Sequence, residues 1–256
     1  REYLRVMTKP LAVHSSGLFE DSLNQPFAGV YSTYLVPNNH PDFERRVRDV
    51  EDAIKLVYAS IFSPESRAYF NAIDYMIEEE KMAVILQEVI GNEHNGRYYP
   101  EISGVAQSYN FYPFSYIQPE DGFAVTAIGL GAYVVGGERT HRFSPAYPKL
   151  QLASTQDKIK SSQRYFYAID LERQDYDLYN DGENAAIKAY DVAEAERDGT
   201  LEYTASVYDF MNDRVTYDFS TRGPRVIDFS KILQYDYFPL APTLETLLDI
   251  FSRALA

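Results

Sequence analysis

The stretch His14-Ser15-Ser16-Gly17, followed by Glu20-Asp21-Ser22 and Pro26-Phe27-Ala28-Gly29, gathers hydroxyls and small residues directly after the apolar run Leu11-Ala12-Val13. Backbone N–H groups left accessible by glycine, with serine hydroxyls beside them, can cradle phosphate without any Walker sequence. The stretch therefore reads as an anion-binding loop that follows a short buried strand. Other chemical signatures are incomplete. Gly131 and Gly136 have P-loop spacing, but Gly137-Glu138 stands where a phosphate lysine and a magnesium hydroxyl belong. Gly129-Leu130-Gly131 lacks the third glycine of a dinucleotide fingerprint, because Val134 fills that place, and reads as a glycine turn. Asp177 to Asp181-Gly182 echoes a calcium loop, with Tyr179 at a ligand position and Lys188 in place of the bidentate glutamate. His14, His40, His94 and His141 form no H-x-x-x-H pair, which leaves zinc unsupported, and no G-x-S-x-G is present. The acids Glu20-Asp21 and Glu78-Glu79-Glu80 read as solvated or helix-terminal carboxylates. The aromatic series Tyr109, Phe111, Tyr112, Phe114 and Tyr116 reads as strand alternation packed into a core, with ligand stacking as the alternative.

The elements that must position these residues belong to an α+β chain. Met82-Ala-Val-Ile-Leu, like Leu11-Ala-Val, is rich enough in branched residues for a buried strand. Phe43, Val47, Val50, Ile54, Val57 and Ile61 recur at three to four and predict an amphipathic helix over 42–62. A second helix starts at Pro64, with Ser63 as its cap. Asn95-Gly96 predicts a tight turn between strands. The runs 102–111 and 123–131 predict an antiparallel pair, and those beginning at Leu201, Arg214 and Arg225 a second small sheet. Asp170 to Asp198 carries ten acids against three bases, half of the net charge of −14, and reads as a solvated face on peripheral helices. A subdomain boundary is expected near 150–165, which gives a core over 1–150 and a second subdomain over 151–256.

Composition narrows the classes. The chain has 256 residues, 45% of them hydrophobic and 24% charged, values of an ordinary globular domain. With 24 Lys and Arg against 38 Asp and Glu, it repels a nucleic-acid backbone, although a local basic pocket can still hold a nucleotide. The absence of cysteine excludes disulfides, thiolate nucleophiles and sulfur-ligated metals, and fits a reducing, cytoplasmic setting. No run approaches the roughly 18 consecutive apolar residues of a membrane span, so no membrane partner is expected. The start lacks an initiator Met and the end stops inside a helical pattern, so a piece of a longer chain is expected.

Taken together, the motifs resemble the nucleotide-binding domain of phosphoenolpyruvate synthase and pyruvate phosphate dikinase, of the ATP-grasp superfamily. The family pattern Arg-Ser-Ser, Glu-Asp, Phe-Ala-Gly is similar to His14-Ser15-Ser16, Glu20-Asp21 and Phe27-Ala28-Gly29. Met82 to Val89, Ser103-Gly104-Val105-Ala106 and Gly129-Leu130-Gly131 follow in family order. The resemblance implies two α+β subdomains around ATP with Mg2+. It places His14, Ser15, Ser16, Phe27, Ala28 and Gly29 at the phosphates and Gln87, Glu88 and Val89 at the adenine pocket. It also implies a parent phosphotransferase that passes phosphate from ATP through a histidine to pyruvate, with phosphohistidine and pyruvate-binding domains in the same chain. By the family pattern, an early lysine would precede Arg1 and the metal carboxylate would follow Ala256. The stretch alone is therefore expected not to catalyse the full reaction. His14 replaces the family arginine, and imidazole has neither a permanent charge nor a bidentate fork. That departure supports the alternative, a degenerate ATP-grasp module used for regulation or protein interaction.

Overall fold

The computed structural model describes residues 1–17, 20, 29–73, 76, 80–150 and 154–254. In chain order these form α1 (Glu2–Val6), β1 (Leu11–Gly17), β2 (Tyr34–Val36), α2 (Phe43–Ser60), α3 (Pro64–Ile73), β3 (Met82–Glu88), β4 (Asn92–His94) and β5 (Arg97–Tyr99). There follow β6 (Ser103–Gln107), β7 (Phe123–Ala127), α4 (Ala132–Val135), β8 (His141–Phe143), α5 (Thr155–Ser161), β9 (Tyr165–Asp170), α6 (Leu178–Asp181) and β10 (Ile187–Asp191). The rest is α7 (Val192–Arg197), β11 (Ala205–Asp209), β12 (Arg214–Thr216), β13 (Arg225–Ile227), α8 (Ser230–Tyr235) and α9 (Leu240–Ala254). The class is mixed α+β, as expected. Two compact units divide the chain: Arg1–Tyr98 with Ile169–Lys188, and Tyr99–Ala168 with Ala189–Ala256. The chain passes between them within β5, β9 and β10. Of the span 150–165, where composition suggested a boundary, the described residues fall in the second unit, and Phe166 and Ala168, just beyond it, join the apolar cluster of Phe143 and Ala124.

The first unit is built on an antiparallel sheet of order β2-β1-β3. Helix α2 supplies Val47, Val50, Ala53 and Val57 at helical spacing, and these pack against Leu11, Val13 and Val36. Asp42 caps the helix by accepting from the Glu44 N–H, and Ser63 caps α3 by accepting from the Ser66 N–H at 3.1 Å, as predicted. On the buried side of α2, the Asp49 carboxylate accepts from Arg45 Nε and from the Tyr176 hydroxyl, both at 2.7 Å. Burial, with that carboxylate beside it, pushes the Tyr176 phenol far above its ordinary value, so it serves as a permanent donor. β4 and β5 form the hairpin predicted at Asn95-Gly96, whose φ values of 49° and 76° suit this pair of residues. The acidic run is partly rearranged from the expectation: α6 and α7 are helical, but β10 lies between them, paired beside β9 at the edge of the sheet β10-β9-β5-β4.

The second unit carries two three-stranded antiparallel sheets, β6-β7-β8 and β12-β11-β13. Phe166, Ile128, Leu201, Phe229 and Ile232 fill its core. Two corrections to the sequence reading fall here. Leu201–Thr204 forms turns, and the strand begins only at Ala205. The aromatic series Tyr109 to Tyr116 is neither strand nor core: Phe111 and Tyr112 are 74% and 82% exposed. β6 ends at Gln107 because β7, its partner, supplies only five paired positions, from Phe123 to Ala127.

Two stability outcomes are expected. A Cβ at Gly223 would collide with the Tyr208 carbonyl oxygen, which is backbone and cannot swing aside. Gly223→Ala should cost about 3 kcal/mol or more by denaturant unfolding. His141 packs against Phe143 and Phe229 with ring centroids 6.1 and 5.7 Å away. Burial, aided by Lys158 and opposed by Asp228, lowers its pKa from the ordinary 6.5 to about 4. Between these values the unfolded chain binds the proton and the folded chain does not, so stability is lost as pH falls from 6.5 to about 4. The stability difference between pH 7 and pH 5 should be about 1–2 kcal/mol smaller in His141→Gln than in the parent.

Candidate functional site

β1 and β3 pair along their whole length, from Leu11↔Glu88 through His14↔Ile85 to Gly17↔Met82. His14-Ser15-Ser16-Gly17 is therefore strand, not the loop expected from its composition. A continuous partner takes up the backbone groups that small polar residues would otherwise present to solvent or ligand. Strand alternation then divides the candidate residues. Leu11, Val13, Ser15 and Gly17 are buried on one face, whereas Ala12, His14 and Ser16 point to the other. Directly opposed residues share a face, so the pairs Ala12↔Gln87, His14↔Ile85 and Ser16↔Ala83 bring His14, Ser16 and Gln87 onto one open surface. Ile85, between them, is 40% exposed.

Ser15 belongs to the opposite, packed face and is already engaged. Its hydroxyl donates to Glu20 Oε2 at 2.7 Å, and the Gly17 N–H reaches the same oxygen at 3.4 Å. An internal carboxylate thus occupies the donors that a phosphate oxygen would use. A second acid lies close by: the Tyr31 hydroxyl donates to Glu80 Oε2 at 2.7 Å, and a Cβ on Gly17 would sit 3.1 Å from Glu80 Oε1. Burial and Glu80 push the Tyr31 phenol far above its ordinary value. His14 Nδ1 lies 2.9 Å from the Ser15 carbonyl oxygen. A carbonyl only accepts, so Nδ1 carries the proton in this contact and Nε2 is the remaining ring nitrogen. Gly29 has φ +82°, a conformation that favours glycine, while Phe27 and Ala28 lie outside the described residues, as does Asp21.

At the other end of β3 the three hinge candidates differ in availability. The Val89 N–H donates to the Pro10 carbonyl and the Val89 carbonyl accepts from the Tyr98 hydroxyl, both at 2.8 Å. Since Pro10 and Val89 form a bonded pair, the antiparallel alternation directs the backbone N–H and C=O of Glu88 away from β1. β3 is the outer strand of the order β2-β1-β3, so these groups lie along its free edge. The Gln87 side chain shares the open face with His14 and Ser16. Sequence reasoning named Gln87, Glu88 and Val89 as candidates but gave no sign of Glu20 as an internal anion, of Tyr31 with Glu80, or of the Tyr98 clamp. A single strand residue such as Tyr98 carries no signal of its long-range partner. Among the described residues, no group of three or more His, Asp or Glu side chains converges to hold a metal ion.

The family described as pyruvate phosphate dikinase, AMP/ATP-binding domain, matches residues 2–199. The chain belongs to this family. The match takes in β1, β3 and every candidate residue, and it carries the family's ATP-grasp fold, in agreement with the mixed sheets and flanking helices. A phosphoenolpyruvate synthase of Aeropyrum pernix is 26% identical over 163 residues, which cover 63% of this chain and 17% of that protein. The chain thus spans less than a fifth of this relative's length. β11–β13, α8 and α9 lie beyond the residues matched by the family.

The Tyr98 clamp sets the end of β3. Tyr98→Phe, which leaves the Val89 carbonyl without this donor, should lower stability by about 1 kcal/mol and raise hydrogen exchange along 85–89.

Proposed function

We propose that the first unit binds ATP along β1 and β3, with the adenine edge on the free peptide groups of Glu88 and the phosphates toward His14 and Ser16. The observation that carries this reading is the ladder itself, which among the described residues leaves the Glu88 peptide groups without a strand partner and puts Gln87 on the same open face as His14 and Ser16. A strand edge offers a donor and an acceptor in fixed geometry, which matches the donor and acceptor pattern of a purine edge. Ser15, Phe27, Ala28, Gly29 and Val89 complete the proposed site: Ser15 after release from Glu20, Phe27, Ala28 and Gly29 by the family pattern at the phosphates, and Val89 at the end of β3, held by Pro10 and Tyr98. ATP supplies the transferable phosphoryl group when bound.

The described residues do not fit a resident magnesium ion, so no step is derived through one. Phosphoryl transfer depends on compensation of the charge on the transferred group. Beside Gly17 the described residues place the carboxylates of Glu20 and Glu80. Nucleotide capture, not completed transfer, is therefore what these residues do. In the parent protein the phosphate would pass from ATP to a histidine and then to pyruvate, on phosphohistidine and pyruvate-binding domains of the same cytoplasmic chain. The second reading, a degenerate module that engages a protein, draws on two observations: His14 in the arginine position and Glu20 seated on the Ser15 and Gly17 donors.

Calorimetric titration of ATP, with and without magnesium, into this chain and into the full-length protein decides between them. Saturable binding is expected in both. Gln87→Ala should weaken it, and His14→Arg should tighten it by about fivefold to tenfold, because a guanidinium adds a permanent charge and a fork. No binding by the full-length protein would refute the nucleotide reading in favour of the interaction module.

A further inference from the structure

A cavity of about 280 Å³ lies wholly within the second unit, bounded by β8, α5, β13 and α8. Its apolar wall is made by Phe143, Ile227, Phe229 and Leu233. The His141 ring tilts against Phe229 on this wall and is held in its neutral form. Beside it stands Asp228, whose carboxylate accepts from Ser206 Oγ at 2.8 Å, from Ser230 Oγ at 2.7 Å and from the Ser230 N–H at 3.2 Å. These three bonds fix the carboxylate in one orientation.

Three cations, Arg139, Arg142 and Lys158, also line the cavity. Their local excess is two positive charges over Asp228, in a chain whose net charge is −14. The arginines are positioned by neutral partners. Arg139 Nη1 donates to the Lys160 carbonyl at 2.6 Å. Arg142 Nη2 donates to Asn110 Oδ1 at 2.8 Å, and its guanidinium lies 3.9 Å from the centre of the Phe123 ring. Neither forms an ion pair among the described residues, whereas Arg45, Arg173, Arg225 and Arg253 each hold a carboxylate. In so acidic a chain, two arginines held in place by neutral partners, with no acid paired to them among the described residues, are suited to an anion from outside. A guanidinium has five N–H donors, and each of these bonds uses one.

We infer that this cavity is a second ligand site, for a small organic anion whose phosphate or carboxylate meets Arg139, Arg142 and Lys158 while an apolar, ring-sized body lies on Phe229 and Leu233. The volume sits at the lower end for ligand pockets, which suits a single ring and not a nucleotide. Asp228 and the neutral imidazole of His141 would accept from a hydroxyl or amine on the same ligand. The site shares no residue with the β1–β3 surface and stands or falls independently of ATP binding there.

The test is titration of the chain with phenyl phosphate and benzoate, with inorganic phosphate and phenol as the separate halves. It is followed by calorimetry and by the ring-proton resonances of His141. One-site saturation is expected for phenyl phosphate or benzoate, about tenfold tighter than for either half, with movement of the His141 signals. The stronger of the two anions identifies the head group. Arg139→Gln with Lys158→Gln, both on accessible side chains, should weaken binding by about tenfold while thermal midpoint and ATP titration stay unchanged. The inference is overturned by any of three results: no saturation below about 10 mM of either anion, binding undiminished in the double variant, or displacement of the anion by ATP. If the double variant loses its fold, Arg142→Gln alone, with its guanidinium stacked on the surface, gives the same reading.

Discussion

The antiparallel ladder between β1 and β3 governs the first unit. Each of its pairs consumes backbone donors and acceptors on one side of each strand and assigns every side chain to one of two faces. One face is fastened to α2 through Leu11 and Val13, so the register cannot slip by a residue without burying His14 and exposing Val13. The open face and the free edge of β3 are consequences of that constraint. What reads as a flexible phosphate loop in isolation is a rigid strand once its partner is present.

Polar satisfaction explains much of the remaining order. Asp49, Glu20, Glu80 and Asp228 are each bound by hydroxyl groups: Tyr176, Ser15, Tyr31, and Ser206 with Ser230. An acidic chain with many tyrosines and serines thereby places carboxylates in partly dry surroundings without a matching cation for each, because a hydroxyl can share the charge through a short bond. Gln163 does the same for backbone, accepting from the Ile128 N–H and donating to the Ile128 carbonyl, both at 2.9 Å. Arg139 and Arg142, like Arg46, are held by neutral partners instead.

Much of the architecture was legible along the chain. The stripe from Phe43 to Val57 is local: successive turns bring these residues to one side whatever the rest of the chain does. The Asn95-Gly96 turn and the Ser63 cap are likewise short-range and agree with the structure, and the β6–β7 and β11–β13 pairings join runs that local alternation marked as strands. The aromatic series Tyr109 to Tyr116 misled because alternating rings announce a strand only where a partner exists, and β7 ends the pairing at Gln107. The candidate site was legible as a set of residues, through family motifs, but not as an arrangement. Nothing near Ser15 indicates that Glu20 will take its hydroxyl, and nothing near Val89 indicates Tyr98.

By itself, the sequence determined the α+β class, the family, the principal helices and hairpins, and the exclusion of cysteine chemistry, since these depend on residue type and on spacing within a few turns. Tertiary structure alone decided which serine faces outward, which carboxylates occupy internal donors, where β3 leaves a free edge, and that three cations converge on one apolar cavity. Those outcomes depend on residues brought together from far apart in the chain, and pairing of that kind is set by register and burial, which no local pattern records.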